Sequence, residues 1–155
     1  MTTPLSWIEI SRGALRHNRD HFRAQAEGRI LLPVLKADAY GHGLKLVGSL
    51  LAAEGQRWFG THTAEEALEL AALPDLDDPK LLVLSHVPAG QLVELSAVGG
   101  RVTLIDLEGL REAAATGVAI PVHLKLETGV QRQGFREEEL EALAALLVAN
   151  PQLTV

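Results

Sequence analysis

One lysine stands where a short apolar run ends. Leu31-Leu32-Pro33-Val34-Leu35 leads into Lys36, and Ala37-Asp38-Ala39-Tyr40-Gly41-His42-Gly43 follows. An apolar run of this length, bounded by turn residues, reads as a buried strand. Lys36 then sits at the C-terminal mouth of an interior strand, where burial disfavours its charged form. Two readings stand side by side. A snorkelling lysine packs its stem and keeps its amine in water. A desolvated amine instead attacks a carbonyl and forms a Schiff base.

A second stretch offers complementary chemistry. Val122-His123-Leu124-Lys125-Leu126 is strand-like, and Glu127-Thr128-Gly129-Val130-Gln131-Arg132-Gln133-Gly134-Phe135 is a glycine-punctuated loop that displays Arg132. Lys125 and Arg132 are either ordinary surface charge on a connecting loop or a clamp for an anion or carboxylate, which arginine's forked donors suit. The remaining titratable groups read more plainly. His17 and His21 share a helix face at a metal-compatible spacing, but no third ligand accompanies them. His62, His86 and His123 stand singly near strand ends, so no metal site is expected. Asp38 reads as a brace for the turn after Lys36, and His42 as a structural hydrogen-bonding group.

These residues need a scaffold, and the chain supplies a rhythm. Ser6-Trp7-Ile8-Glu9-Ile10 alternates and reads as a brief edge strand. Ser11 sits where a helix N-cap would, with Leu15, Asn18, Phe22 and Ala26 at helical spacing and Gly28 past the end. Strands are expected at Arg29 to Leu35, Trp58 to Gly60, Leu81 to Leu84, Val102 to Ile105 and Ile120 to Leu126, with a sixth beginning at Pro151 to Val155. Between them lie helix-like stretches from Gly43 to Ala53, from Thr63 to about Leu73, from Ala89 to Ala97, from Leu107 to Thr116 and from Arg136 to Ala149. Thr63-Ala64-Glu65-Glu66 is a capping box. Alternating strands and helices imply βαβ units and a parallel sheet.

An open doubly wound sheet and a (β/α)8 TIM-type barrel are both compatible with this rhythm. Polar groups recur at the ends of several strands: Lys36, Thr61 with His62, Ser85 with His86, Asp106, and Lys125 through Thr128. That distribution favours the barrel, whose sites are built from several strand ends, over an open sheet with one switch point. Only about five βα units fit into residues 1–155, whereas a full barrel takes about 250 residues. The expectation is an incomplete barrel, the N-terminal portion of a larger enzyme.

Composition narrows the functional classes. The 155 residues are 47% hydrophobic and 22% charged, which is a globular balance. A net charge of −6 argues against a general nucleic-acid partner. The absence of cysteine removes disulfides, thiolate metal sites and a cysteine nucleophile, and is compatible with a reducing cytoplasm. No leader is read at Met1 to Ser6, and no membrane span is read, since no run approaches about 18 apolar residues.

The segment Lys36-Ala37-Asp38-Ala39-Tyr40-Gly41-His42-Gly43 resembles the pyridoxal-phosphate attachment segment of alanine racemases. The stretch from Lys125 to Phe135 is similar to that family's Lys-x-Asp-Thr-Gly-Met-x-Arg-x-Gly-Phe pattern, with Glu127 for the aspartate, Val130 for the methionine, and Gln133 where an apolar residue is usual. Trp7-Ile8-Glu9-Ile10 followed by Ala14-Leu15 and Asn18 is similar to the family's opening.

The resemblance implies interconversion of L- and D-alanine, supplying D-alanine for peptidoglycan. It implies that Lys36 holds pyridoxal 5'-phosphate as an aldimine and acts as a base, that Tyr40 hydrogen-bonds the cofactor phosphate, and that Arg132 contacts the cofactor's phenolic oxygen and the substrate carboxylate. It implies a carbamylated Lys125 in many members, orienting Arg132. It also implies a homodimer when full length, with a second catalytic tyrosine from a C-terminal β domain of the partner. The chain's one tyrosine, Tyr40, is already assigned. Rival readings are a broad-specificity amino-acid racemase, a non-catalytic pyridoxal-phosphate-binding barrel protein, and a structural fragment that binds no cofactor.

Overall fold

A computed structural model describes residues 6–155, so all but Ser6 of the stretch examined for a leader lies outside it. Five strands form one sheet: β1 (Trp58–Thr61), β2 (Lys80–Val83), β3 (Gly100–Leu104), β4 (Ile120–Leu124) and β5 (Leu153–Thr154). Their spatial order equals their sequence order, and every neighbouring pair is parallel. A doubly wound sheet reverses direction at a switch point. This one winds steadily to one side, as the wall of a (β/α)8 barrel does.

The helices alternate with the strands. They are α1 (Arg12–Gln25), α2 (Lys36–Gly41), α3 (Leu44–Ala53), α4 (Ala64–Ala71), α5 (Leu92–Ala97), α6 (Leu107–Ala115) and α7 (Leu140–Ala149). Short 3-10 turns at Ala89–Gln91 and Glu137–Glu139 lead into α5 and α7. Side chains alternate across a strand. One row, with Phe59, Leu81, Val83, Val102, Ile120 and Val122, is buried against the helices. The opposite row carries Trp58, Gly60, Leu82, Arg101, Thr103 and His123, and forms the concave face. There the Arg101 guanidinium lies 4.9 Å from the centre of the Trp58 ring.

Caps account for several boundaries. Ser11 Oγ accepts from Ala14 N–H and starts α1, and Asp106 accepts from Gly109 N–H and starts α6. Arg12 and Arg19 both reach Glu54 beyond the end of α3, which holds the largely exposed α1 against the body.

Two expected strands differ from the observed chain. Residues 6–10 join no strand among the described residues, and Trp7 and Ile8 stay 68% and 64% exposed. The strand expected over Arg29 to Leu35 shrinks to a single bridge between Val34 and Gly60. Pro33 has no N–H to give a ladder. Its carbonyl accepts from Gly60 N–H at 2.8 Å, and Leu35 N–H donates to Gly60 O at 2.7 Å. Two backbone bonds therefore dock this segment beside β1, in the place a first barrel strand would occupy.

Helix α5 comes so close to β3 that position 100 has no room for a side chain. A Cβ on Gly100 would lie 2.4 Å from Leu95 Cγ and 2.7 Å from the Leu95 carbonyl oxygen. Gly100→Ala is expected to destabilise the fold by about 1–3 kcal/mol through overpacking. Gly90→Ala, with no atom within 4 Å of its Cβ position, is expected to stay within about 0.5 kcal/mol of the parent. Urea midpoints at constant slope measure both, and equal midpoints would refute the argument.

Candidate active site

Lys36 begins an unusual piece of backbone. Ala37, Asp38, Ala39 and Tyr40 have φ between 53° and 57° and ψ between 37° and 54°. That is one turn of left-handed helix built without glycine. Each such residue costs about 1–2 kcal/mol in L-amino acids, so the turn needs partners, and it has them. Ala39 N–H donates to Leu35 O at 2.8 Å, and Gly43 N–H donates to Asp38 O at 2.9 Å. The Asp38 carboxylate accepts from Leu44 N–H at 2.6 Å, at the start of α3. Ala39 is buried beneath the turn, while Tyr40 is 62% exposed. Lys36 itself is half-buried. Its Nζ lies 6.0 Å from the centre of the Tyr40 ring.

The turn is also held from the side by Glu66. This residue completes the capping box of α4: Thr63 Oγ1 accepts from Glu66 N–H, and Glu66 Oε2 accepts from Thr63 N–H. The same Oε2 accepts from His62 N–H at 2.8 Å, and Oε1 accepts from Ala37 N–H at 2.7 Å.

The second loop is closed by different means. Glu127 N–H donates to Phe135 O at 2.9 Å, and Phe135 N–H donates to Lys125 O at 2.7 Å. Phe135 is fully buried and anchors the far end. Gly134 has φ +133°, and a Cβ there would lie 2.8 Å from Glu127 N, so the crossing admits only glycine. The Glu127 carboxylate is turned onto the loop's own backbone. The N–H groups of Gln131 and Gly129 hold its pKa below the ordinary value. Lys125 is half-buried at the end of β4, and Arg132 is exposed on the loop.

A cavity of about 510 Å3 lies at the C-terminal mouth of the sheet. Lys36, His62, His123, Lys125 and Arg132 line it, over an apolar floor of Leu82 and Leu84. Three of the four expected site residues thus meet in one cavity, and Tyr40 stands beside Lys36. A hollow of similar size, about 550 Å3, lies along the same loop, lined by Arg132 and Arg136 together with Glu127, Glu137 and Glu138. It does not reach Lys36.

The other polar groups at strand ends do local work. Asp106 caps α6, Thr61 Oγ1 donates to Thr63 O, and His86 Nε2 lies 3.7 Å from Glu112. His17 and His21 lie on the exposed face of α1. Among the described residues no cluster of three or more metal-ligating side chains forms. No helix among them is long and apolar enough to cross a membrane. Two groups, Glu66 and Glu127, do more than the sequence suggested. Glu66 was visible as a helix cap, but its link to Ala37, 29 positions earlier, leaves no local signature.

The sheet order and the concave mouth define a barrel-type α/β domain, with a lysine–arginine cavity at the strand ends. The chain belongs to the alanine racemase family, matching its N-terminal domain over residues 10–155. It is 38% identical over 151 residues to the alanine racemase of Deinococcus radiodurans, covering 97% of this chain and 41% of that protein. Among solved structures, alanine racemase from Corynebacterium glutamicum superposes with a TM-score of 0.84 at 27% identity, over 93% of this chain and 42% of that one. The histidine racemase of Leuconostoc mesenteroides subsp. sake gives 0.82 at 28% identity, over 93% and 40%. The chain therefore spans about two fifths of the length of these relatives.

His123 reports on the concave face. Desolvation lowers its pKa below the ordinary 6.5, although much of the residue stays exposed, and the Arg101 guanidinium lowers it further. A histidine with a folded value below its unfolded one opposes protonation. Its contribution to stability is complete above about pH 6.5 and is lost as pH falls from there through the lower folded value. In an NMR titration His123 is expected to titrate below 6.5. Arg101→Gln is expected to move it only part of the way back, because desolvation is the larger cause. Full return to 6.5 would make the arginine the dominant cause.

Proposed function

We propose that this chain is the pyridoxal-phosphate-binding portion of an alanine racemase, with Lys36 as the attachment and base residue. Residues 1–155 would form the N-terminal part of the barrel domain, the second half-barrel and a β domain lying outside them. One observation carries the reading. Lys36, Lys125 and Arg132 converge on one cavity, yet none of them enters an ion pair among the described residues. An unpaired amine at Lys36 and an unpaired guanidinium at Arg132, facing a cavity of about 510 Å3, suit an anionic ligand of cofactor size. Pyridoxal phosphate offers an aldehyde for a lysine amine, a phenolate for a guanidinium and a phosphate for a hydroxyl, so the donor set fits.

When bound, the cofactor's electron-withdrawing ring makes the α-proton of a joined amino acid acidic enough for an amine to take. The chain's residues supply the rest. Lys36 would hold the group through its amine and, once the amino-acid substrate has freed that amine, would remove or return the α-proton at its Nζ. Arg132 would hold the phenolate and the substrate carboxylate by charge-assisted hydrogen bonds. Tyr40, at the exposed edge of the turn, would donate a hydrogen bond from its hydroxyl to the phosphate. Lys125, once carbamylated, would present an anion that orients Arg132. The opposite face of the α-carbon needs a second acid/base group. Tyr40, the one tyrosine of these residues, is already assigned to the phosphate; the family resemblance implies a tyrosine from the partner of a homodimer in that second role.

Alanine is the proposed substrate, and D-alanine for peptidoglycan made in the cytoplasm the proposed product. The likeness to a histidine racemase supports a second reading, a racemase for a larger amino acid. Adding pyridoxal phosphate, reducing with borohydride and mapping the pyridoxyl group by mass spectrometry is expected to find it on Lys36. Lys36→Ala is expected to abolish labelling and to lower racemisation by the whole enzyme by about 10²–10⁴-fold, the scale of acid–base catalysis. Labelling elsewhere, or unchanged labelling in the variant, would refute the assignment. Faster turnover of histidine than of alanine would favour the second reading.

A further inference from the structure

A helix-capping carboxylate needs only the amide at its own N-cap. Glu66 does more. Its Oε2 takes the N–H groups of His62 and Thr63, and its Oε1 takes the N–H of Ala37. One side chain thus binds backbone from two separate loops. Ala37 is the residue next to Lys36 and the first of the left-handed turn, and His62 lines the same cavity as Lys36. Glu66 lies off the cavity wall and touches neither the lysine amine nor a reacting atom.

We propose that Glu66 is a positioning residue for Lys36. Its Oε1 holds Ala37 in the left-handed conformation, and the direction of the Lys36 side chain into the cavity follows from that backbone. The proposal rests on the reading of Lys36 as the cofactor attachment site. Backbone N–H groups accept nothing, so the partner must be an acceptor on both oxygens. A carboxylate meets that need and an amide does not. Glu66→Gln turns one of the two oxygens into a donor facing Ala37 or His62. Thr63→Ala is the control, because it removes the hydroxyl that accepts from Glu66 N–H but leaves the carboxylate on Ala37.

Two measurements separate positioning from simple stability. Hydrogen exchange in the peptide 36–43 is expected to speed up about tenfold in Glu66→Gln, and cofactor attachment to Lys36 to slow about tenfold, the scale of a small misplacement of a reacting group. Thr63→Ala is expected to lower the melting temperature while leaving both unchanged. If Glu66→Gln fails to fold, Glu66→Asp gives the same comparison, since it keeps the charge but shortens the reach. The proposal is overturned if exchange in 36–43 matches between the Glu66 variant and Thr63→Ala, or if attachment is as fast as in the parent. If the parent attaches no cofactor at Lys36, the functional reading fails by itself, and the exchange comparison still decides whether Glu66 holds the turn.

Discussion

Four successive left-handed residues without glycine are the constraint on which the site depends. At about 1–2 kcal/mol each, Ala37 to Tyr40 would relax to a right-handed or extended form if left alone. Strain of this kind persists only where the surroundings over-determine it. Here the surroundings are specific. Asp38 holds the start of α3, Ala39 is buried, and Glu66 holds Ala37 from the neighbouring βα unit. The turn reverses the chain within a few residues. Lys36 is left at the lip of the sheet and α3 is sent back down its outer face.

That arrangement works only because the sheet is singly wound. Parallel strands in sequence order put every C-terminal end at the same mouth. Lys36 and Arg132 are 96 positions apart, yet a steady progression from the Val34–Gly60 bridge through β1, β2, β3 and β4 brings both to one cavity. The two faces of the sheet divide the labour. Leucine, valine, isoleucine and phenylalanine on the convex side pack under the helices. Arg101, Thr103 and His123 give the concave side a polar lining, in which Thr103 Oγ1 and Arg101 Nε are buried without a partner among the described residues.

Much of this was legible from residue types and spacing. Apolar runs between turn residues located β1 to β4, and the Thr63–Glu66 box and Ser11 marked helix starts. The short run at Pro151 to Val155 proved to be β5, paired with β4. Lys36, Lys125 and Arg132 were chosen by chemistry and are found together. The left-handed turn was not legible, because alanine and tyrosine carry no signal for φ near +55°, and long-range hydrogen bonds impose it. The strand before Lys36 was overstated for a related reason. Leu31 to Leu35 look like a buried strand, but Pro33 cannot complete a ladder and four of these five residues are only half-buried. Short-range patterns report propensity, while register and close approach are settled by the neighbour across the sheet.

The electrostatics of the cavity follow from where the nearby carboxylates are committed. The chain is acidic overall, at −6, and carboxylates are close in sequence to each cation: Asp38 to Lys36, and Glu127 to Lys125 and Arg132. Salt bridges would be the expected outcome if these side chains were free to choose. Instead Asp38 takes the Leu44 amide, Glu66 takes Ala37 and His62, and Glu127 takes the amides of its own loop. Each of these bonds shapes a loop and at the same time withholds a counter-charge. A carboxylate that accepts from backbone N–H groups is well satisfied and gains little by swinging to an exposed ammonium, since such pairs are worth at most about 1 kcal/mol in water. The same contacts that hold the two loops therefore leave the amine and guanidinium groups unneutralised, and an anionic ligand can pair with them without displacing a protein carboxylate.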